Sequence, residues 1–117
     1  MTEYDEQVAF VEWLELKGLK FTAIPNSTYT TSWNQKRKNK AMGVRKGLPD
    51  LLVFIDNKQS ITDNALLLFV EMKRPEGGVV SGEQKQWIVS LNKVDNVQAE
   101  VCKGCKKAIE FVYQYIK

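Results

Sequence analysis

Hydrophobic and polar positions along the chain alternate in blocks that read as alternating helices and strands. In "YDEQVAFVEWLELKG" (4–18), Val8, Val11 and Leu14 recur at helical spacing with the aromatics Phe10 and Trp13, and Gly18 is a stop signal. "LKFTAIP" (19–25) reads as a short strand ended by Pro25. "LPDLLVFID" (48–56) and "ALLLFVEMK" (65–73) are near-continuous apolar runs, the pattern of strands covered on both faces, joined by the polar "NKQSITDN" (57–64). In "SGEQKQWIVSLNKV" (81–94), Ser81 and Gln84 have capping-box spacing, and Trp87, Ile88, Leu91 and Val94 form an apolar stripe. "VQAEVC" (97–102) is a fourth strand and "KKAIEFVYQYIK" (106–117) a last amphipathic helix. The order is helix, three strands, helix, strand, helix, an α/β arrangement.

Residues 26–47, "NSTYTTSWNQKRKNKAMGVRKG", are too polar for a core and read as a loop of roughly twenty residues, a length more often functional than not. Net charge is only +3, yet residues 1–16 hold five acids and no base, whereas 35–47 hold Lys36, Arg37, Lys38, Lys40, Arg45 and Lys46 and no acid. Such a cluster suits phosphate contacts, the alternative being an ordinary solvated loop. Tyr29 and Trp33 precede it, placed to stack on bases or sugars or, for the Trp, to fold back onto the core.

A chain of 117 residues suits a single domain spanning 1–117, and 44% hydrophobic with 26% charged residues is ordinary for a soluble globular protein. The longest apolar runs are too short to cross a bilayer and the acidic amino end is no targeting segment, so the expected location is the cytoplasm. Histidine is absent, which excludes imidazole-based nucleophilic schemes, histidine nucleases and His-containing zinc sites. Acid–base work must fall to carboxylates, lysine or metal-bound water. The two cysteines, in "CKGC" (102–105), are at most half a zinc site and read as structural thiols at a strand-to-helix junction.

The third strand ends in an acid and a lysine two positions apart, Glu71 and Lys73, which therefore point to one face. If the second and third strands form a hairpin with its connection centred between Ser60 and Ile61, Asp50 lies opposite Glu71, about 5 Å away. Two such carboxylates repel and raise each other's pKa unless a hard cation lies between them. Asp50, Glu71 and the backbone carbonyl of Met72 supply oxygen ligands of the kind Mg²⁺ takes, and Lys73 is placed to orient or deprotonate a metal-bound water attacking a phosphate, or to stabilise the developing charge. The plainer reading is a solvated strand end beside an ordinary turn.

"KGLPDLLVF" (46–54) followed by "LLFVEMKRPEGGVVSGEQKQWI" (67–88) resembles the virus-type replication-repair nuclease (VRR-NUC) family of the PD-(D/E)xK superfamily. The specific part is the ordered set Gly47-Leu48-Pro49-Asp50, Glu71-Met72-Lys73-Arg74-Pro75, Gly77-Gly78 and Ser81-Gly82-Glu83-Gln84. The resemblance implies a restriction-endonuclease-like core, a mixed central sheet flanked by helices, and Mg²⁺- or Mn²⁺-dependent phosphodiester hydrolysis on DNA. It makes Asp50 and Glu71 metal ligands, Lys73 the catalytic lysine, Gln84 a residue near the metal or scissile phosphate, and Glu3, followed by Gln7, a ligand directly or through water. Arg74 joins the cations expected on the DNA backbone. Small free-standing members resemble phage-type homodimers that resolve four-way junctions, which implies branched DNA and a second copy as partners and no small-molecule cofactor or membrane. The apolar faces of the first or last helix are the expected interface, because "FVYQYI" offers more aromatic surface than a small core absorbs. Two other functions fit the same residues: a nuclease-like fold serving only to bind DNA or assemble, and a nuclease for flaps, nicked duplex, single strands or RNA.

Overall fold

The computed structural model describes residues 1–25 and 32–117. Its strands β1 (Lys20–Ala23), β2 (Leu51–Ile55), β3 (Leu66–Lys73) and β4 (Val97–Lys103) form one sheet in that order. β2 is antiparallel to both β1 and β3, and β4 is parallel to β3, so the sheet is mixed, as expected. A parallel neighbour cannot be reached through a tight hairpin. The connection from β3 to β4 carries α3 (Gly82–Leu91), and the remaining helices are α1 (Glu3–Leu16), α2 (Trp33–Ala41) and α4 (Cys105–Tyr113).

One face of the sheet carries the core. Phe10 and Leu14 of α1 and Ala108, Phe111 and Val112 of α4 pack on Leu51, Val53 and Ile55 of β2 and on Leu66, Leu68, Val70 and Met72 of β3. The buried stripe of α1 is Glu6, Phe10 and Leu14, not the expected one through Val8, which is exposed. Glu6 lies on this stripe because α4 needs it. Gly104, at the N-cap of α4, has no side chain to cap with, and the Glu6 carboxylate accepts the Cys105 N–H at 2.9 Å instead.

The opposite face departs from the expectation of strands covered on both sides. α3 packs chiefly on β4, and Leu52, Phe54, Leu67 and Phe69 remain only half-buried. No residue of α3 is fully buried; Gln84, Ile88 and Leu91 are its half-buried side, whereas Trp87 and Val94 are exposed. At its C-cap, Asn92 donates to the Ala99 carbonyl and accepts the Ala99 N–H, at 2.9 and 2.8 Å, tying α3 to the edge strand.

Two further expectations change. The segment read as an unbroken loop contains the nine-residue α2, N-capped by Ser32, whose hydroxyl accepts the Gln35 N–H. α2 buries none of its residues and packs on no other helix or strand. The last helix places most of its aromatic surface inside: Phe111 is buried, Tyr115 stands edge-on to it at 5.6 Å, and Ile116 packs on the core. Only Tyr113 stays exposed, with the Lys17 ammonium 5.7 Å from its ring. Among the described residues no helix is long and apolar enough to cross a membrane.

Candidate active site

The β2–β3 hairpin has the register read from its symmetric connection: Leu51 pairs with Val70, and the ladder continues to Ile55 with Leu66. Asp50 and Glu71 are therefore the next positions beyond the last pair. Asp50 is held twice, its carbonyl accepting the Ile24 N–H at 2.7 Å and its Oδ2 accepting the Met72 N–H at 2.8 Å. A strand residue sends its N–H and C=O to the same side. The Met72 carbonyl, expected as a ligand, thus projects towards the Asp50 side of β3.

Glu71 alternates with the core residues Val70 and Met72 and so points to the opposite face, where it is 2% exposed. Its Oε2 accepts the Gln84 Nε2 at 3.1 Å and lies 3.6 Å from Lys73 Nζ. Its Oε1 is buried without a hydrogen-bond partner. Burial first, then the neighbouring Asp50 charge, pushes the Glu71 carboxyl up to about 8; Lys73 opposes the shift and Glu3 adds to it. An orphaned buried carboxylate oxygen beside a second carboxylate is a position that a hard cation would satisfy.

Gln84 makes the expected cap and, with the other end of its amide, a hydrogen bond to Glu71. Its Oε1 accepts the Ser81 N–H at 2.9 Å, closing the capping box, while its Nε2 reaches Glu71. The cap thereby determines which end of the amide faces the carboxylate. That double use was beyond the sequence pattern, which shows Ser81 and Gln84 at capping distance but not what the other half of the amide meets.

Glu3 sits in the first turn of α1 and lines an open groove of about 670 Å³ with Thr2, Lys73, Arg74 and Gly78. With Glu6 committed to α4, Glu3 is the acid of this helix whose charge reaches Glu71. Among the described residues no three Asp, Glu, Cys or His side chains gather tightly enough to hold a metal by themselves. Two carboxylates with retained waters is nevertheless a usual way to bind Mg²⁺, so the donor set fits that ion.

Two glycines allow the surrounding segments to close on this corner. Gly47, at φ +104°, lies so near α3 that a Cβ there would stand 2.7 Å from the Glu83 carbonyl. At Gly78 a Cβ would come within 2.9 Å of Lys73 Cβ. Gly47 fastens the segment entering Asp50 against the helix that carries Gln84.

The expected DNA-facing cations separate into two groups. Lys36, Arg37, Lys38 and Lys40 are all exposed on α2. Arg45 turns back to donate to the Lys40 and Val44 carbonyls, at 3.1 and 3.0 Å, Lys46 stands beside Glu83 and Trp87, and Arg74 donates to the Gly77 carbonyl at 3.4 Å. Trp33 is exposed and does not fold back onto the core, while Tyr29 falls outside the described residues. Cys102 and Cys105 are free thiols at the β4–α4 junction, and burial raises both, Cys102 to about 12. Neither is poised as a thiolate.

The comparisons with known proteins bear on the family and the fold. A solved structure titled "VRR_NUC domain protein" is similar over 98% of this chain and 88% of its own, with a TM-score of 0.73 and 25% identity. No curated protein sequence matches the chain significantly. The family model for the VRR-NUC domain matches residues 1–106, which implies a nuclease-type function in DNA processing, and the chain belongs to the VRR-NUC family.

Proposed function

We propose that the chain is a divalent-metal-dependent endonuclease that hydrolyses phosphodiester bonds in branched DNA, such as four-way junctions. The observation that carries this reading is the Glu71 carboxylate, buried with one oxygen unpartnered beside Asp50 and within 3.6 Å of Lys73. Burying so strained an acid costs stability, and structural needs alone do not explain it. Asp50 and Glu71 would hold Mg²⁺ or Mn²⁺, with the Met72 carbonyl as a further donor and Glu3 supporting the ion directly or through water. When bound, the ion supplies Lewis acidity and positive charge at the scissile phosphate.

The chain's own groups do the rest. Gln84 fixes the rotamer of Glu71, so that Oε1 stays directed at the site. Lys73, anchored through its carbonyl by the Gly104 N–H at 2.8 Å, presents an ammonium that orients the attacking water and offsets charge growing on the phosphate. The α2 cations grip backbone phosphates away from the scissile bond. Opposed cuts at a four-way junction need two such sites, which a homodimer supplies. The whole chain acts as one nuclease unit in the cytoplasm, the host's if the protein is phage-encoded.

Incubating the protein with Mg²⁺ and labelled duplex, flap, nicked and four-way substrates tests the reading. Cleavage of the four-way substrate that is lost in chelator and in Glu71→Gln supports it. Persistence of cleavage in both overturns it.

A further inference from the structure

The α2 helix has a composition and position that phosphate gripping does not fully explain. Trp33, Lys36, Arg37 and Lys40 are spaced i, i+3, i+4 and i+7 along it and so share one face. The Trp33 indole is 71% exposed, at the end of a row of three cations. On another side, Gln35 donates to Asn39 at 2.7 Å. No acid occurs between Ser32 and Pro49. A nine-residue helix that packs on no other described helix or strand is marginal in water, and this one keeps its largest apolar ring outside. The row of like charges calls for an anionic, linear partner, and the ring at its end calls for a flat apolar one.

A nucleic-acid strand supplies both, but only where its bases are open. Inside a continuous duplex every base face is covered by its neighbours. A face becomes available at a branch point, a nick or a single strand, where an aromatic side chain can replace the missing stacking partner. The C-terminus of α2 lies nine residues before Asp50, so the chain restricts it to within about 30 Å of the hairpin end. At Gly47 the intervening segment passes close against the Glu83 backbone of α3.

From this we infer that α2 is the element that recognises strand discontinuity: Lys36, Arg37 and Lys40 follow the phosphates of one strand while Trp33 stacks on an unpaired base beside the branch. The inference rests on the nuclease reading for its setting, but recognition is measured separately from cleavage.

The test is binding in chelator of the full chain and its variants to a four-way junction, a single strand and a continuous duplex of matched sequence. Trp33→Ala should weaken junction and single-strand binding about tenfold and duplex binding no more than about twofold, and Trp33→Phe should restore most of the loss. Replacing Lys36, Arg37 and Lys40 by Ala should weaken all three ligands alike and flatten the salt dependence. Circular dichroism that matches the parent excludes a loss of fold. Equal losses on junction and duplex in Trp33→Ala, or no loss on either, overturn the inference. Trp33-dependent binding to anionic phospholipid vesicles as strong as to the junction does so as well, by making α2 a membrane-surface helix. Should the parent protein cleave nothing in Mg²⁺ yet show the Trp33-dependent preference, the nuclease reading fails and the recognition stands.

Discussion

The end of the β2–β3 hairpin and the helix α2 are nine residues apart in sequence and opposite in construction. At the hairpin end the framework is held by other groups, Asp50 by Ile24 and Met72, one oxygen of Glu71 by Gln84 and the Lys73 carbonyl by Gly104, while Glu71 Oε1 is left without a partner. In α2, by contrast, Lys36, Arg37, Lys38 and Lys40 all face water, and the helix packs on no other described helix or strand. Reaction chemistry needs atoms fixed to a fraction of an ångström, which only a packed sheet provides. Contact with a long anionic polymer tolerates slack, and slack helps when the polymer varies in shape. On the proposed reading, the stability of the fold and the affinity for nucleic acid are lodged in separate parts of the chain.

Variants can break this separation or sharpen it. The largest effect belongs to the hairpin end: Asp50→Asn, Glu71→Gln and Lys73→Ala should each reduce Mg²⁺-dependent cleavage by about a thousandfold or more while leaving DNA binding in chelator close to the parent. Next comes Gly47→Ala. Its Cβ has no room against the Glu83 carbonyl and its φ is left-handed, so the variant should lose about 2–4 kcal/mol of stability, read as a fall in Tm, and cleavage should fall with it. A comparable Tm fall from alanine at Lys36 would contradict the separation.

A smaller effect concerns pH. Because Glu71 is raised from its usual 4.5 to about 8 in the fold, the folded state holds a proton that the unfolded chain releases between those values. Its contribution to metal-free stability is present below pH 4.5 and fades as pH rises towards about 8. Glu71→Gln should flatten that part of the Tm-against-pH curve, and Mn²⁺ should raise the Tm of the parent most at the alkaline end. The least effect is on salt: each α2 lysine changed to Ala should lower the slope of log affinity against log salt by about 0.9 with no change in Tm.

The same contrast explains what could be read from the sequence. The hairpin register followed from a two-residue period and a symmetric connection, which leave little freedom once two apolar runs pair. The chain order Pro49-Asp50, Glu71 and Lys73 then brought the charges together. α2 escaped because helices are found by their apolar periodicity, and a helix that packs on nothing has none. A signal was present nonetheless: Ser32 and Gln35 repeat the spacing of Ser81 and Gln84, and Ser32 does cap the helix. The stripe of α1 was misplaced for a different reason. Periodicity counts Glu6 as polar and therefore outward, whereas its partner, the bare N-terminus of α4, lies ninety-nine residues away and leaves no local trace.

The clasp of Asn92 on Ala99 bears on how two copies could meet. Sheets often join across their outermost strands, main chain to main chain, but here a single side-chain amide already occupies both backbone groups of Ala99, the third residue of that border strand. Continuous strand-to-strand union across β4 would first have to evict it. The sheet is thereby closed to growth on the β4 flank.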